Sequence, residues 1–253
     1  MYLILIFSLL FHNPTADYET FIKKGDEFHK MFDNVDAAMN YEKAYELAPE
    51  NFEVLIKLTG AYNDAGEEYV ELRKRDEAKK YIDRAIFYAE ILHKEFPDSA
   101  KTYCYLALSY GNIAMFSGSK EKIRLANLIK ENAEKSLRID STLFVSYVIL
   151  GIYNREIANL GFFERLFANT FLGDVPNGSF EESIKMFKKA LSIFPDTIVP
   201  TYGLSKTYRY MGEEEEEKEK ELLHKVLVYK IQNFRDKFAI EKAKRRLERL
   251  NNN

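Results

Sequence analysis

Between Phe21 and Pro49 the side chains recur in an order that admits few folds: Phe21, Gly25 and Phe28, then Ala37, Tyr41 and Ala44, then Pro49. Steps of three and four put each trio on one face of a helix. A glycine in the first helix lets a second approach closely, small alanines keep that second helix thin at the crossing, and a proline ends it. The unit is a helix hairpin, and one hairpin alone cannot bury its faces, so the pattern has to recur. A second unit carries Phe52, Leu55, Leu58 and Tyr62, lengthens through a polar insertion from Glu67 to Arg75, and resumes with Ala78, Ile82 and Ala85 before Pro97. A third starts near Ala100 with Tyr103, Leu106, Ala107 and Tyr110, breaks at Ser117-Gly118-Ser119, and continues with Ile129, Ala133 and Ser136. Tyr147, Leu150 and Gly151 open a fourth, closed by Ser183, Phe187, Ala190 and Pro195; Thr201, Leu204, Ser205, Tyr208 and Gly212 open a fifth.

The signature residues of the first unit stand at the spacing of a tetratricopeptide repeat. The fold expected is all-α, a tetratricopeptide-like right-handed solenoid of about five helix hairpins with a C-terminal capping helix. That last helix sets Phe234, Phe238, Ala243, Leu247 and Leu250 on one face, with Arg235, Lys242, Lys244, Arg245, Arg246 and Arg249 elsewhere. It reads as a cap over the final apolar face; a basic strip for an acidic surface or anionic headgroups is the second reading. The acidic run Glu213–Glu221 reads as a solvated helix start, where acids favour the helix dipole.

Composition removes several function classes. A formal charge of −3 supplies no electrostatic reason to expect nucleic acid as a partner. One cysteine, Cys104, allows no intrachain disulfide and reads as a small apolar filler. His12, His29, His93 and His224 lie far apart, without metal-ligand spacing, and no phosphate loop or nucleophile elbow is present. The chain reads as a non-enzyme with no cofactor. Leu3 to Phe11 is apolar except for Ser8 and precedes Pro14-Thr15-Ala16, which sets residues 1–16 apart as a secretory signal or a buried apolar segment ahead of a repeat domain at 17–253. With a signal the chain is exported, periplasmic or secreted; without one it is cytoplasmic.

The inner face of such an array is the informative surface. Its lining positions, read onto this chain, include Asp26, His29, Asn63, Asp64, Cys104 and Asn112 toward the N-terminus. Toward the other end Leu108, Val145, Val148, Ile152, Val199 and Tyr202 make an apolar floor, with Arg155, Lys206 and Arg209 beside it. Exposed apolar floor is costly in water, so something fills it: the chain's own insertion or terminal helix, a protein segment, or a lipid or other small apolar ligand oriented by those cations.

The insertion is the segment from Ala158 to Glu182. Phe162, Phe163, Leu166, Phe167 and Phe171 form an apolar stripe fit to be a groove wall or lid. Gly173 to Gly178 then stops the helix, and Ser179 with Glu182 reads as a capping box. The order Ala158, Asn159, Phe163, Glu164, Arg165, then Phe171-Leu172-Gly173, an acid, Pro176 and a Glu-Glu helix start resembles the regulator of microtubule dynamics family. The resemblance is continuous from about Thr142 to Phe194 and looser from Asp17 to the C-terminus. It departs at Phe163, where the family often has Trp, and at Asp174-Val175-Pro176, where in the family two prolines follow the acid. It implies a binding module of tetratricopeptide-like repeats with no active site, whose partner is a protein. Microtubule binding is implied by the resemblance alone, and an exported bacterial relative would not meet tubulin. One family member is a tether with a lipid-binding repeat domain, which keeps lipid as the alternative ligand.

Overall fold

The computed structural model describes residues 14–161 and 174–252, with side chains from Tyr18 onward. Residues 1–13 of the proposed signal or apolar segment 1–16, and the groove-wall residues Phe162, Phe163, Phe167 and Phe171, lie outside the described residues. Among the described residues five hairpins follow one another: α1 (Pro14–Lys30) with α2 (Asn34–Leu47), α3 (Phe52–Glu71) with α4 (Arg75–Glu95), and α5 (Ala100–Ala114) with α6 (Ser119–Ile139). Then come α7 (Phe144–Ala158) with α8 (Phe180–Ile193), α9 (Ile198–Met211) with α10 (Glu216–Val228), and a terminal α11 (Phe234–Asn251). The described residues contain no strand.

Local chemistry sets the boundaries. The side chains of Asp33 and Asn51 accept the free N–H groups of Asp36 and of Glu53 and Val54, capping α2 and α3. Ser179 caps α8 by accepting the Glu182 N–H, while the Glu182 carboxylate turns to Lys185 at 3.1 Å rather than closing a capping box. The reciprocal box forms instead at α11, between Asn233 and Asp236. Phe32, Arg73 and Asp196 take left-handed backbone at three of the turns, with φ of 63°, 61° and 58°.

Close approach explains the repeat signature. A Cβ on Gly25 would collide with the Tyr41 ring, so the α1–α2 crossing requires glycine there. The polar insertion expected from Glu67 to Arg75 is helical through Glu71, which makes α3 long; only Leu72 to Lys74 form the turn. Each hairpin packs on the next, and the first helices also touch in series, α3 with α5, α5 with α7 and α7 with α9. The tighter spacing along that layer makes it the concave one. The terminal helix then departs from a simple cap: besides α9 and α10 it touches α3. At about 1.5 Å per residue an 18-residue helix is roughly 27 Å long, enough to cross the inner layer from the fifth hairpin to the second.

Candidate functional site

The inner face has two unlike halves. In the N-terminal half, polar residues of the first three hairpins pair in three hydrogen-bonded groups. Asp26 accepts from Lys57 at 2.7 Å and from the Tyr41 hydroxyl at 2.6 Å. His29 Nε2 stands 3.2 Å from Asp64 Oδ2. Asn63, fully buried, donates to Ser109 at 2.9 Å and accepts from Asn112, which also donates to Glu67 at 2.9 Å. Asp26, His29, Asn63, Asp64 and Asn112 all stand at inner-face positions expected from the repeat register.

Two of these groups are joined by α11. Arg235 donates from Nη2 to Asp64 at 2.7 Å and from Nε to Glu67 at 2.6 Å. Lys242 reaches Glu71 at 2.5 Å, and Lys237 sits 4.7 Å over the Phe32 ring. Burial pushes the Asp64 carboxyl up, but Arg235 and the His29 hydrogen bond outweigh it and hold Asp64 below the usual carboxylate range. The same hydrogen bond raises His29 above its ordinary value. Burial works against the charge of Arg235, and its two acids more than offset that, raising it further.

In the C-terminal half the contacts are mostly apolar. Val148, with the partly buried Val199, belongs to a core formed by Phe187, Ala190, Leu204 and Tyr208. Phe187 is fully buried, its ring tight against both Gly151 and Gly203. Leu108 and Val145 pack in a different cluster, around Cys104, Ala107, Ala133, Ile149 and Leu150, and burial pushes the Cys104 thiol up to about 11. Tyr202 lies against the cluster in which Ala239, Ala243, Leu247 and Leu250 of α11 cover Ile198, Leu223 and Val226. Arg155 and Lys206 converge on one carboxylate, Glu156, at 2.8 and 3.3 Å, and Arg155 also donates to the Gly203 carbonyl at 3.2 Å. Ile152 and Arg209 are exposed. Two of the three predicted cations thus meet at a carboxylate of the same chain.

The acidic run leading into α10 is solvated only in part, which corrects the expectation of a wholly solvated helix start. Glu219 is buried and takes both ends of the Arg246 guanidinium at 2.9 and 2.8 Å. Of the six basic residues named on the last helix, Arg235, Lys242 and Arg246 thus turn to acids of the same chain, leaving Lys244, Arg245 and Arg249 exposed. The spacing does show that Asp64, Glu67 and Glu71 share one face of α3 and that Arg235, Lys242 and Arg246 share one face of α11, without showing which helix each face meets. Among the described residues no cluster of His, Cys, Asp and Glu could hold a metal, and no helix is long and apolar enough to cross a membrane.

Residues 21–251 match the model of a family described as Regulator of microtubule dynamics protein 1-3. The chain belongs to this family. Regulator of microtubule dynamics protein 1 of Mus musculus is 24% identical over 189 residues, covering 73% of this chain and 59% of the relative. Regulator of microtubule dynamics protein 2 of Rattus norvegicus is 24% identical over 192 residues, covering 76% of this chain and 45% of the relative. The chain thus spans about half the length of these curated relatives. Among solved structures, a tetratricopeptide-repeat protein of Thermus thermophilus superposes with a TM-score of 0.63 at 14% identity, covering 89% of this chain and 98% of the other. That likeness carries the fold of stacked helix hairpins. This regulator-family chain thus has a helical repeat architecture.

Proposed function

We infer that the chain is a non-enzymatic scaffold that holds a protein partner, as a helical segment, on its concave face. The observation that carries this reading is α11 itself. A helix already lies across α3 and α9, oriented by Arg235 and Lys242 and covered along its apolar stripe, which is the helix-in-groove mode that amphipathic partners use. Burial of an apolar stripe supplies the affinity, and ion pairs at either end set the direction.

The relatives' name motivates microtubules or their associated proteins as the place to look for the partner. A lipid or small apolar ligand draws less support: of the floor proposed for it Val148 is 7% exposed, Tyr202 packs against the cluster that α11 covers, and Glu156 takes both Arg155 and Lys206.

A photo-crosslinking residue distinguishes the faces. Placed at Ile152, exposed on the inner layer, it is expected to capture a specific protein from the chain's own host; placed at Phe87, exposed on the second-helix layer, it is not. Equal capture from Phe87, or none from Ile152, would overturn the assignment to the concave face.

A further inference from the structure

The attachments of α11 divide into two kinds. Its aliphatic stripe, Ala239, Ala243, Leu247 and Leu250, lies on the fifth hairpin, as a terminal cap should. Its N-terminal half does something a cap does not require: Arg235 and Lys242, seven residues and about two turns apart, reach the acidic row Asp64, Glu67 and Glu71 of the second hairpin. That row is a built site. Asn112, itself held by Asn63, fixes one oxygen of Glu67 and leaves the other for Arg235. His29 fixes one oxygen of Asp64 and leaves the other for the same guanidinium. A short non-helical link from Tyr229 to Asn233 joins α10 to α11, and Ile231 and Gln232 within it are exposed.

We propose that α11 is an internal competitor for the acidic row of α3, and that the partner is a basic amphipathic helix with cations two turns apart that takes the row when α11 lifts. The proposal rests on the reading of the concave face as a protein-binding groove, and adds to it the chemistry of the partner and its control. Complementarity selects the partner. Without Arg235 and Lys242 three carboxylates face the groove, with His29 bonded to one of them, and a helix lacking cations would leave them unneutralised in a half-buried setting. The tether sets the threshold. A short link holds α11 at an effective concentration on the order of millimolar, so a free helix making the same contacts at micromolar concentration is outcompeted by about a thousandfold. Weakening the charge contacts of α11 from its own side lowers that barrier while leaving the acids intact.

The test uses the full chain and, as probe, a fluorescent synthetic peptide carrying residues 229–252. Wild type is expected to bind it weakly. The double variant Arg235→Gln/Lys242→Gln is expected to bind it at least about 100-fold more tightly. Lys242→Gln alone, whose side chain is 38% exposed in wild type, serves if the double variant fails to fold, with about a tenfold gain expected. Adding Asp64→Asn/Glu67→Gln/Glu71→Gln should remove the gain. Equal weak binding by wild type and the folded variants, equally tight binding by both, or a gain that survives neutralisation of the acids would each overturn the proposal. Capture from Ile152 reads the scaffold assignment separately: its persistence alongside a failed peptide result would sink only the competitor, and its loss would sink the scaffold.

Discussion

In the fourth and fifth hairpins the inner layer is closed by near neighbours: Phe187 of α8 fills the space between Gly151 of α7 and Gly203 of α9. In the second hairpin the same layer is closed by Arg235, 171 residues along the chain from Asp64. Stacked repeats draw most of their stability from intrinsic and nearest-neighbour terms, and the Phe187 region fits that rule. The Arg235 region breaks it, because α11 couples the second hairpin to the fifth. Apolar interlocking fixes one half permanently, whereas a half-buried charge contact on a short link can be exchanged for another of the same sign. The polar half is therefore where the proposed competition acts.

Four substitutions or titrations sharpen this contrast. The largest effect is expected from Phe187→Ala, which opens a cavity at a site with no exposure and should cost about 4 kcal/mol in denaturant unfolding, with the acidic row undisturbed. Arg235→Ala leaves Asp64 and Glu67 facing each other without their shared cation and should cost about 3 kcal/mol; hydrogen exchange should accelerate in α11 and the adjoining part of α3, and not around Phe187. The same region should carry the pH dependence. Asp64, held below its ordinary 3.8, contributes stability that is complete above that value and lost as pH falls through its folded pKa. His29, raised above 6.5, contributes stability that is complete below 6.5 and lost as pH rises through its folded pKa; its exposure keeps that effect small. Asp64→Asn should flatten the acid limb, measured as Tm against pH, and Phe187→Ala should leave its shape unchanged. The smallest effect is expected from Arg73→Gly, which relieves left-handed backbone at φ 61° and should raise stability by no more than about 1 kcal/mol.

How much of this was legible in the sequence follows the same division. Local patterns gave the hairpins: Gly25 and Tyr41, Ala37 and Ala44, Ser179 as a cap all depend on residues a few positions apart, and each does locally what its type demands. The inner-face register also placed His29, Asn63, Asp64 and Asn112 on one surface, since first-helix positions follow from helical periodicity. The partners of those residues were not legible. Glu67 and Glu71 read as an insertion because a charged helix extension and a polar loop share a composition, and only the arrival of α11 distinguishes them. Glu219 read as one of several solvated acids, yet its turn of α10 faces Arg246. Nothing in a run of glutamates marks which one will be buried.

The most direct test of the docked terminal helix is a double-mutant cycle between Arg235 and Glu67, with Arg235→Ala, Glu67→Ala and the pair compared in denaturant unfolding. A coupling energy of about 1.5–3 kcal/mol is expected for residues that share a half-buried charge contact. A coupling within about 0.5 kcal/mol of zero, the behaviour of independent sites, would mean that α11 does not rest on α3, and the occupied groove would have to be abandoned.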